Sequence, residues 1–239
     1  MNEIILLPPE ERVRRRPAVI FGDAGLEGSK RVFTDMLKIL LAEVYHGHCS
    51  RIKITLYKDG TIDLVTNGRG FRVGAEDQWK DLFLVLPVKS AYAFLLDETI
   101  FSLYEENTAH LTKEERRFYD ELSLPCIQYV CEHMVCIIYR DEKMHDLRFE
   151  KGIPTSAKSL SCDPQKQGMH ISFQIDSAVF SPHILPSDFV IDVAQTAATR
   201  MSGLFISVKV ETDDGWNEHI FGRERKEDSR KEIKDEIFE

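Results

Sequence analysis

Between residues 75 and 151 the sequence has no glycine, although the whole chain contains 13. A loop that wraps phosphates with its own N–H groups needs glycine for positive φ and close backbone approach. That stretch therefore supplies no such loop. No Walker-type phosphate loop and no nucleophile elbow occur anywhere in the chain, which leaves a hydrolase triad or a P-loop nucleotide site without support. Membrane-length apolar runs are missing too. The N-terminal run is only Ile4 to Leu7, ended by Pro8 and Pro9, and reads as no signal peptide. Basic charge is in deficit: 31 Lys and Arg against 40 Asp and Glu give a net charge of -9. An acidic surface argues against direct DNA binding and against anionic membranes. The one dense basic cluster is Arg12, Arg14, Arg15 and Arg16. Paired cysteines are also lacking. Five stand at 49, 126, 131, 136 and 162, an odd number among apolar neighbours, which fits free thiols in a reducing cytoplasm. There are no repeats and no low-complexity linker. These absences describe a soluble, cytoplasmic, bacterial-type protein.

What is present is a chain of 239 residues, 43% of them hydrophobic, enough for a sizeable core. Residues 29–46 place Val32, Phe33, Met36, Leu37, Leu40, Leu41 and Val44 at helical spacing, with Ser29 as N-cap and Gly47 as stop. In "RIKITLYKDGTIDLVTNG", Ile52, Ile54 and Leu56 alternate, Asp59-Gly60 turns, and Ile62 and Leu64 alternate again. This predicts a β-hairpin. Residues 76–123 read mainly as helix, broken at Pro87. "CIQYVCEHMVCIIYRDEKMHDLRFEKG" reads as a helix feeding a second hairpin that turns near Asp141–Lys143. "GMHISFQID" and "LFISVKVETDDGWNEHIFG" read as strands, with a helix between them over "SDFVIDVAQTAATRMSG", stopped at Gly203. The expected architecture is an α/β two-layer sandwich: a mixed, mostly antiparallel sheet with helices on one face, over residues 1–222. A charged tail follows over 223–239.

Several segments in this order resemble the N-terminal ATPase domain of DNA gyrase B and related type II topoisomerases, in the GHKL superfamily. The carriers are "RRRPAVIFGD" (14–23), "GHCSRIKITLYKDGTIDLVTNGRGFRVG" (47–74), "VCIIYRDEKMHDLRFEKGIP" (135–154), "GMHISFQID" with the helix after it, and "GLFISVKVE" (203–211). Together they cover nearly the whole chain. The resemblance implies ATP and Mg²⁺ as cofactors. It also implies a carboxylate on the first long helix to activate water, and an asparagine one turn later to hold Mg²⁺. An aspartate after the hairpin would accept the adenine amino group, and a glycine-rich lid would hold the phosphates.

This chain departs from that pattern in three separate elements. Counting back from "GHC" puts Asp35 at the catalytic carboxylate, and Ile39 one turn later. Counting forward from "VF" puts Thr34 and Lys38 there. Neither register supplies an asparagine: Ile cannot ligate Mg²⁺ and Lys repels it. Asp35 is thus a candidate base one methylene short, or a solvent-facing helix aspartate. After the hairpin, Asn67 is read at the adenine position, followed by Gly68, Arg69 and Gly70, with Arg72 where the family has proline. An amide oxygen accepts a hydrogen bond without the charge that strengthens it. Gly168 is followed by Met169 where the family has threonine, and methionine can only pack. Arg140 matches an arginine at the rim of the family's pocket. Where the glycine-rich box belongs stands "YDELSLPC", whose proline removes an N–H donor.

The expected nucleotide-binding set is therefore Asn67, Gly68, Arg69, Gly70, Met169 and Arg140. Asp35 is the only catalytic candidate, no metal site is expected, and ATP and Mg²⁺ are left without a complete site. His46, His48 and Cys49 ("HGHC") have no second cluster at zinc spacing. Cys131, His133 and Cys136 read as packing residues, and "RVRRRP" as the lead into the domain. The expectation is a gyrase-B-like ATPase fold with hydrolysis lost or impaired. It would act as a binding or regulatory module whose partner is itself or a type II topoisomerase subunit. The alternatives are a working ATPase domain of topoisomerase type and a pocket retuned for another small ligand.

Overall fold

The structure, a computed structural model, describes residues 7–45, 47–70 and 127–223. Two short helices come first, α1 (Pro9–Arg15) and α2 (Pro17–Phe21). The long helix α3 (Leu26–Tyr45) follows, and then the hairpin β1 (Arg51–Leu56) and β2 (Thr61–Thr66). After the segment outside the description, a single 3-10 turn (Gln128–Val130) leads into β3 (Cys131–Arg140), β4 (Lys143–Glu150), β5 (Ile153–Ser161) and β6 (Gly168–Ile175). The chain closes with helix α4 (Ser187–Arg200) and the hairpin β7 (Phe205–Thr212) and β8 (Gly215–Phe221).

The eight strands form one sheet in the order β5-β4-β3-β6-β2-β1-β7-β8. Only β1 and β7 run parallel; the other neighbours are antiparallel. One face is continuous apolar surface: Ile52, Ile54 and Leu56 of β1, Ile62 and Leu64 of β2, Met134, Cys136 and Ile138 of β3, and Ile171 and Phe173 of β6 are all buried. Against it α3 lays Val32, Phe33, Met36, Leu37 and Leu40, and α4 lays Val190, Ala194 and Ala197. Side chains that alternate to the other face are Lys53, Asp63 and His170. Each large apolar side chain sealed between the layers contributes roughly 1.5–3 kcal/mol by leaving water. The result is the expected α/β sandwich of a mixed sheet and helices.

At the front of the sheet, Asp176, 1% exposed, pairs with the guanidinium of Arg14 from α1. Arg14 also donates to the Tyr129 carbonyl at 3.0 Å. The arginine cluster thus contributes a clamp: one side chain ties α1 to the approach to β3 and to the turn after β6. Arg15, by contrast, makes an exposed pair with Glu11 on its own helix.

Several elements differ from the sequence reading. Helix α3 begins at Leu26, so Ser29 is no cap; its hydroxyl donates to the Pro182 carbonyl at 2.9 Å instead. Of the helix expected to feed the second hairpin, the described residues show only the 3-10 turn, and β3 starts at Cys131. Cys131 and Cys136 both face the core, while His133 points to the opposite face, across a bulge in the ladder to β6. These three side chains do not converge. Strand β5 had no counterpart in the sequence reading. The helices expected within 76–123 and the tail at 224–239 lie outside the described residues, as does the place of the glycine-rich box. No helix among the described residues is long and apolar enough to cross a membrane.

Candidate functional site

The hairpin delivers the site. Asp59 accepts from the Thr61 N–H at 2.8 Å to close the turn, and β2 then runs antiparallel between β1 and β6. Strand alternation puts Ile62, Leu64 and Thr66 on the helix-covered face. Asn67 is the first residue past the strand, and its amide is committed elsewhere. Oδ1 accepts from the N–H groups of Ser50 (3.0 Å) and Arg51 (2.9 Å), and Nδ2 donates to the Ser50 hydroxyl (2.9 Å). Asn67 staples the end of β2 to the start of β1. The Cys49 thiol lies 3.4 Å from the same Oδ1. Burial pushes that thiol up to about 11.

Gly68, Arg69 and Gly70 are fixed by α3 and β3. Glu43 of α3 accepts from the Arg69 N–H at 3.3 Å and from its guanidinium at 3.1 and 2.8 Å. Burial pushes the Glu43 carboxyl up, but the Arg69 guanidinium and N–H outweigh it and hold the group below its usual value. Gly70 has φ +71°, and a Cβ there would sit 2.7 Å from Ile138 Cγ2 and 3.2 Å from the Gly168 carbonyl, so both conformation and space demand glycine. Arg140 donates to the Gly70 carbonyl at 2.8 Å. Gln167 donates to the Asn67 carbonyl at 3.3 Å. The fold thus gathers Asn67, Gly68, Arg69, Gly70, Arg140 and Met169 at one end of β2, β6 and β3. Met169 is buried and stands across the ladder from Thr66 and Ile138.

The α3 side of the site follows from helical spacing. Asp35, Ile39 and Glu43 recur every four residues, so they share one stripe. Glu43 grips Arg69, which places Asp35 and Ile39 farther along the same stripe. Thr34 is turned to the helix itself, donating to the Lys30 carbonyl at 2.7 Å. Asp35 is not solvent-facing, one of the two readings of the sequence. It is fully buried, with Arg31 Nε at 2.7 Å and Lys38 Nζ at 3.4 Å. Ile39 is buried beside it. Mg²⁺ asks for several oxygen ligands in octahedral array. Ile39 offers none, the Asp35 carboxylate is shared by two cations, and the Glu43 carboxylate is paired with Arg69. The described residues do not fit the metal, and no cluster of three or more His, Cys, Asp or Glu among them could hold one. Of the "HGHC" residues, His48 and Cys49 donate their N–H groups to the Glu43 carbonyl as the chain leaves α3, at 2.8 and 3.1 Å; His46 lies outside the described residues.

Two residues escaped the sequence reading. Glu43 could have been found from its i+8 relation to Asp35. Thr66 could have been found from the alternation of β2, which assigns the helix-covered face to residue 66 rather than 67.

No family model matches the chain. A DNA gyrase B of Thermotoga maritima is 23% identical over 219 residues, 90% of this chain and 32% of that protein. A DNA gyrase B of Chlamydia pneumoniae is 24% identical over 183 residues, 75% of this chain and 22% of its own length. Among solved structures, the 43K ATPase domain of Thermus thermophilus gyrase B, in complex with an aminocoumarin, superposes with TM-score 0.67 at 22% identity, over 90% of this chain and 52% of that one. The chain spans less than a third of those two gyrase B proteins and about half of the solved domain. The chain is similar to gyrase B proteins over most of its length and has the fold of the gyrase B ATPase domain.

Proposed function

We propose that this domain is a gyrase-B-like ATPase fold that does not hydrolyse ATP and serves as a binding or regulatory module in the cytoplasm. The observation that carries this reading is the α3 stripe. Asp35 is held between Arg31 and Lys38, and Ile39 fills the position one turn on. Phosphoryl transfer rests on positioning and charge neutralisation, so a site that cannot seat the metal loses most of its rate. A carboxylate locked by two cations is also a poor base, because its lone pairs are already taken. The retained scaffold of Glu43, Arg69, Gly70 and Arg140 keeps the shape of the floor without that chemistry. Its partner in this reading is a second copy or a type II topoisomerase subunit, the setting of its named relatives.

The test combines ATP turnover with titration calorimetry of a non-hydrolysable ATP analogue, with and without Mg²⁺. The expected result is no turnover above background and no gain in affinity from Mg²⁺. Micromolar binding that needs Mg²⁺, or steady ATP turnover, would overturn the reading in favour of a working ATPase.

A further inference from the structure

The two edges of the sheet are built differently. Strand β5 carries Pro154, which has no N–H to offer, and the exposed Lys158, and the ladder that joins it to β4 is irregular between Arg148 and Phe149. Proline, lysine and a bulge are the devices that keep an edge strand from pairing. Strand β8 has none of them. Gly215–Phe221 holds no proline, lysine or arginine and pairs with β7 without interruption. It ends the sheet, and among the described residues it has no strand on its outer side. Every second residue of such an edge aims its N–H and C=O outward, ready to pair. The side chains add to this. Trp216, Glu218 and Ile220 stand opposite Glu211, Lys209 and Ser207, on the face away from the helices. Trp216 is 45% exposed and Ile220 58%. Trp216 is held in place, with the Tyr57 ring edge-on at 5.6 Å and Lys209 Nζ 4.6 Å from its centroid. A large aromatic that is fixed but half-exposed loses little freedom when a partner covers it.

We infer that β8 is the docking edge for a second copy of this chain, paired antiparallel about a twofold axis at Glu218. The inference goes beyond the non-hydrolysing reading: it chooses the second copy over a topoisomerase subunit and does not depend on the loss of hydrolysis. The choice rests on self-complementarity, which a twofold contact demands. With the axis at Glu218, Trp216 lies opposite the partner's Ile220, and Ile220 opposite the partner's Trp216. Both exposed apolar side chains of each copy are covered, as aromatic and β-branched cross-strand pairs. The two Glu218 carboxylates meet at the axis, each with Lys209 across the ladder behind it. The row therefore reads cation, anion, anion, cation. Moving the axis to Asn217 would set Trp216 against Glu218; moving it to His219 would set Ile220 against Glu218. Only the Glu218 register matches apolar with apolar. Because the β5 edge is blocked, pairing closes at two copies and does not run on into a filament. One strand pair is a small interface, so the dimer is reversible and concentration-dependent.

The experiment is sedimentation velocity of the full chain over a range of concentrations, with Ile220→Lys and Leu160→Lys variants. The expected result is a monomer–dimer equilibrium in the wild type. Ile220→Lys, which sets a cation against the partner's Trp216 twice by symmetry, should weaken it about tenfold or more. Leu160→Lys, at the β5 edge, should leave it unchanged. Glu218→Cys in a Cys162→Ser background tests the register. Directly opposed residues of an antiparallel pair lie within disulfide reach, so mild oxidation should link position 218 to itself, identified by peptide mass spectrometry. Ser156→Cys on β5, in the same background, should not link. Circular dichroism melts establish that each variant is folded. A wild type that stays monomeric, a dimer indifferent to Ile220→Lys, or the absence of the 218–218 link would each overturn the inference. The non-hydrolysing reading survives any of these results, since ATP turnover decides it.

Discussion

Replacing Asn67 separates two roles that the sequence alone confounds. In Asn67→Ala, the N–H groups of Ser50 and Arg51 lose their shared acceptor and the Ser50 hydroxyl loses a donor. A buried donor left without a partner costs about 1–3 kcal/mol. Ser50, Arg51 and Asn67 are all half-exposed, so water recovers part of that, and the expected loss for the pair is about 2 kcal/mol. For a chain of this size that is roughly 4–8 °C in Tm. Asn67→Asp should behave differently. A carboxylate accepts the same two N–H groups with charge assistance, and the Ser50 hydroxyl can rotate to donate. Its stability should stay within about 1 kcal/mol of wild type. Nucleotide affinity should not change, because the side chain points to the start of β1 and not to the helix-covered face. Thermal and urea melts followed by circular dichroism give the first quantity, and calorimetry with an ATP analogue gives the second. Two results would refute the reasoning: an Asn67→Ala variant as stable as wild type, or an Asn67→Asp variant that gains nucleotide binding.

The clamp at the front of the sheet predicts an acid limit. Burial pushes the Asp176 carboxyl up, but the Arg14 guanidinium and the Ala178 N–H outweigh it and hold it below the usual 3.8. A depressed carboxylate contributes stability that is fully present above the unfolded value and is lost as pH falls through the folded one. Arg14→Met, which leaves the buried carboxylate without its cation, should lose about 3 kcal/mol or more at pH 7. In Asp176→Asn, the share of wild-type acid destabilisation that falls below about pH 4 should disappear; urea midpoints at pH 3, 4, 5 and 7 check both. A second expectation concerns Cys49. With the thiol near 11, only about 0.1% is thiolate at pH 8. A thiol reagent should modify it in the native protein far more slowly than the half-exposed Cys162. Equal rates, resolved by peptide mass spectrometry, would contradict its burial.

Local pattern settled much of this protein. The 52–64 hairpin is written in its alternation and its Asp59-Gly60 turn, and α4 in its spacing. The family resemblance told which elements would meet. Strand β5 was invisible because Ile153, Pro154, Thr155, Ala157 and Lys158 are exposed at the sheet edge, and among the described residues its only strand partner is β4. With little to bury, it leaves no hydrophobic alternation to read. The run after Cys126 was ambiguous because short apolar segments fit either period. Pairing of β3 with β4 on one side and β6 on the other resolves it as strand from Cys131.

At the site the division is sharper. The sequence by itself determined which side chains lack chemistry: Ile39 cannot ligate a metal and Met169 cannot donate a hydrogen bond in any fold. Only tertiary structure decided where the polar groups point. Asp35 is buried because α3 packs that face inward, where Arg31 and Lys38 close over it. Thr66 faces the helices and Asn67 the start of β1 because successive strand residues face opposite sides, so a shift of one residue exchanges the helix-covered face for a backbone staple. Which of two neighbours faces the helices is a property of the ladder, and the ladder forms only when distant strands meet.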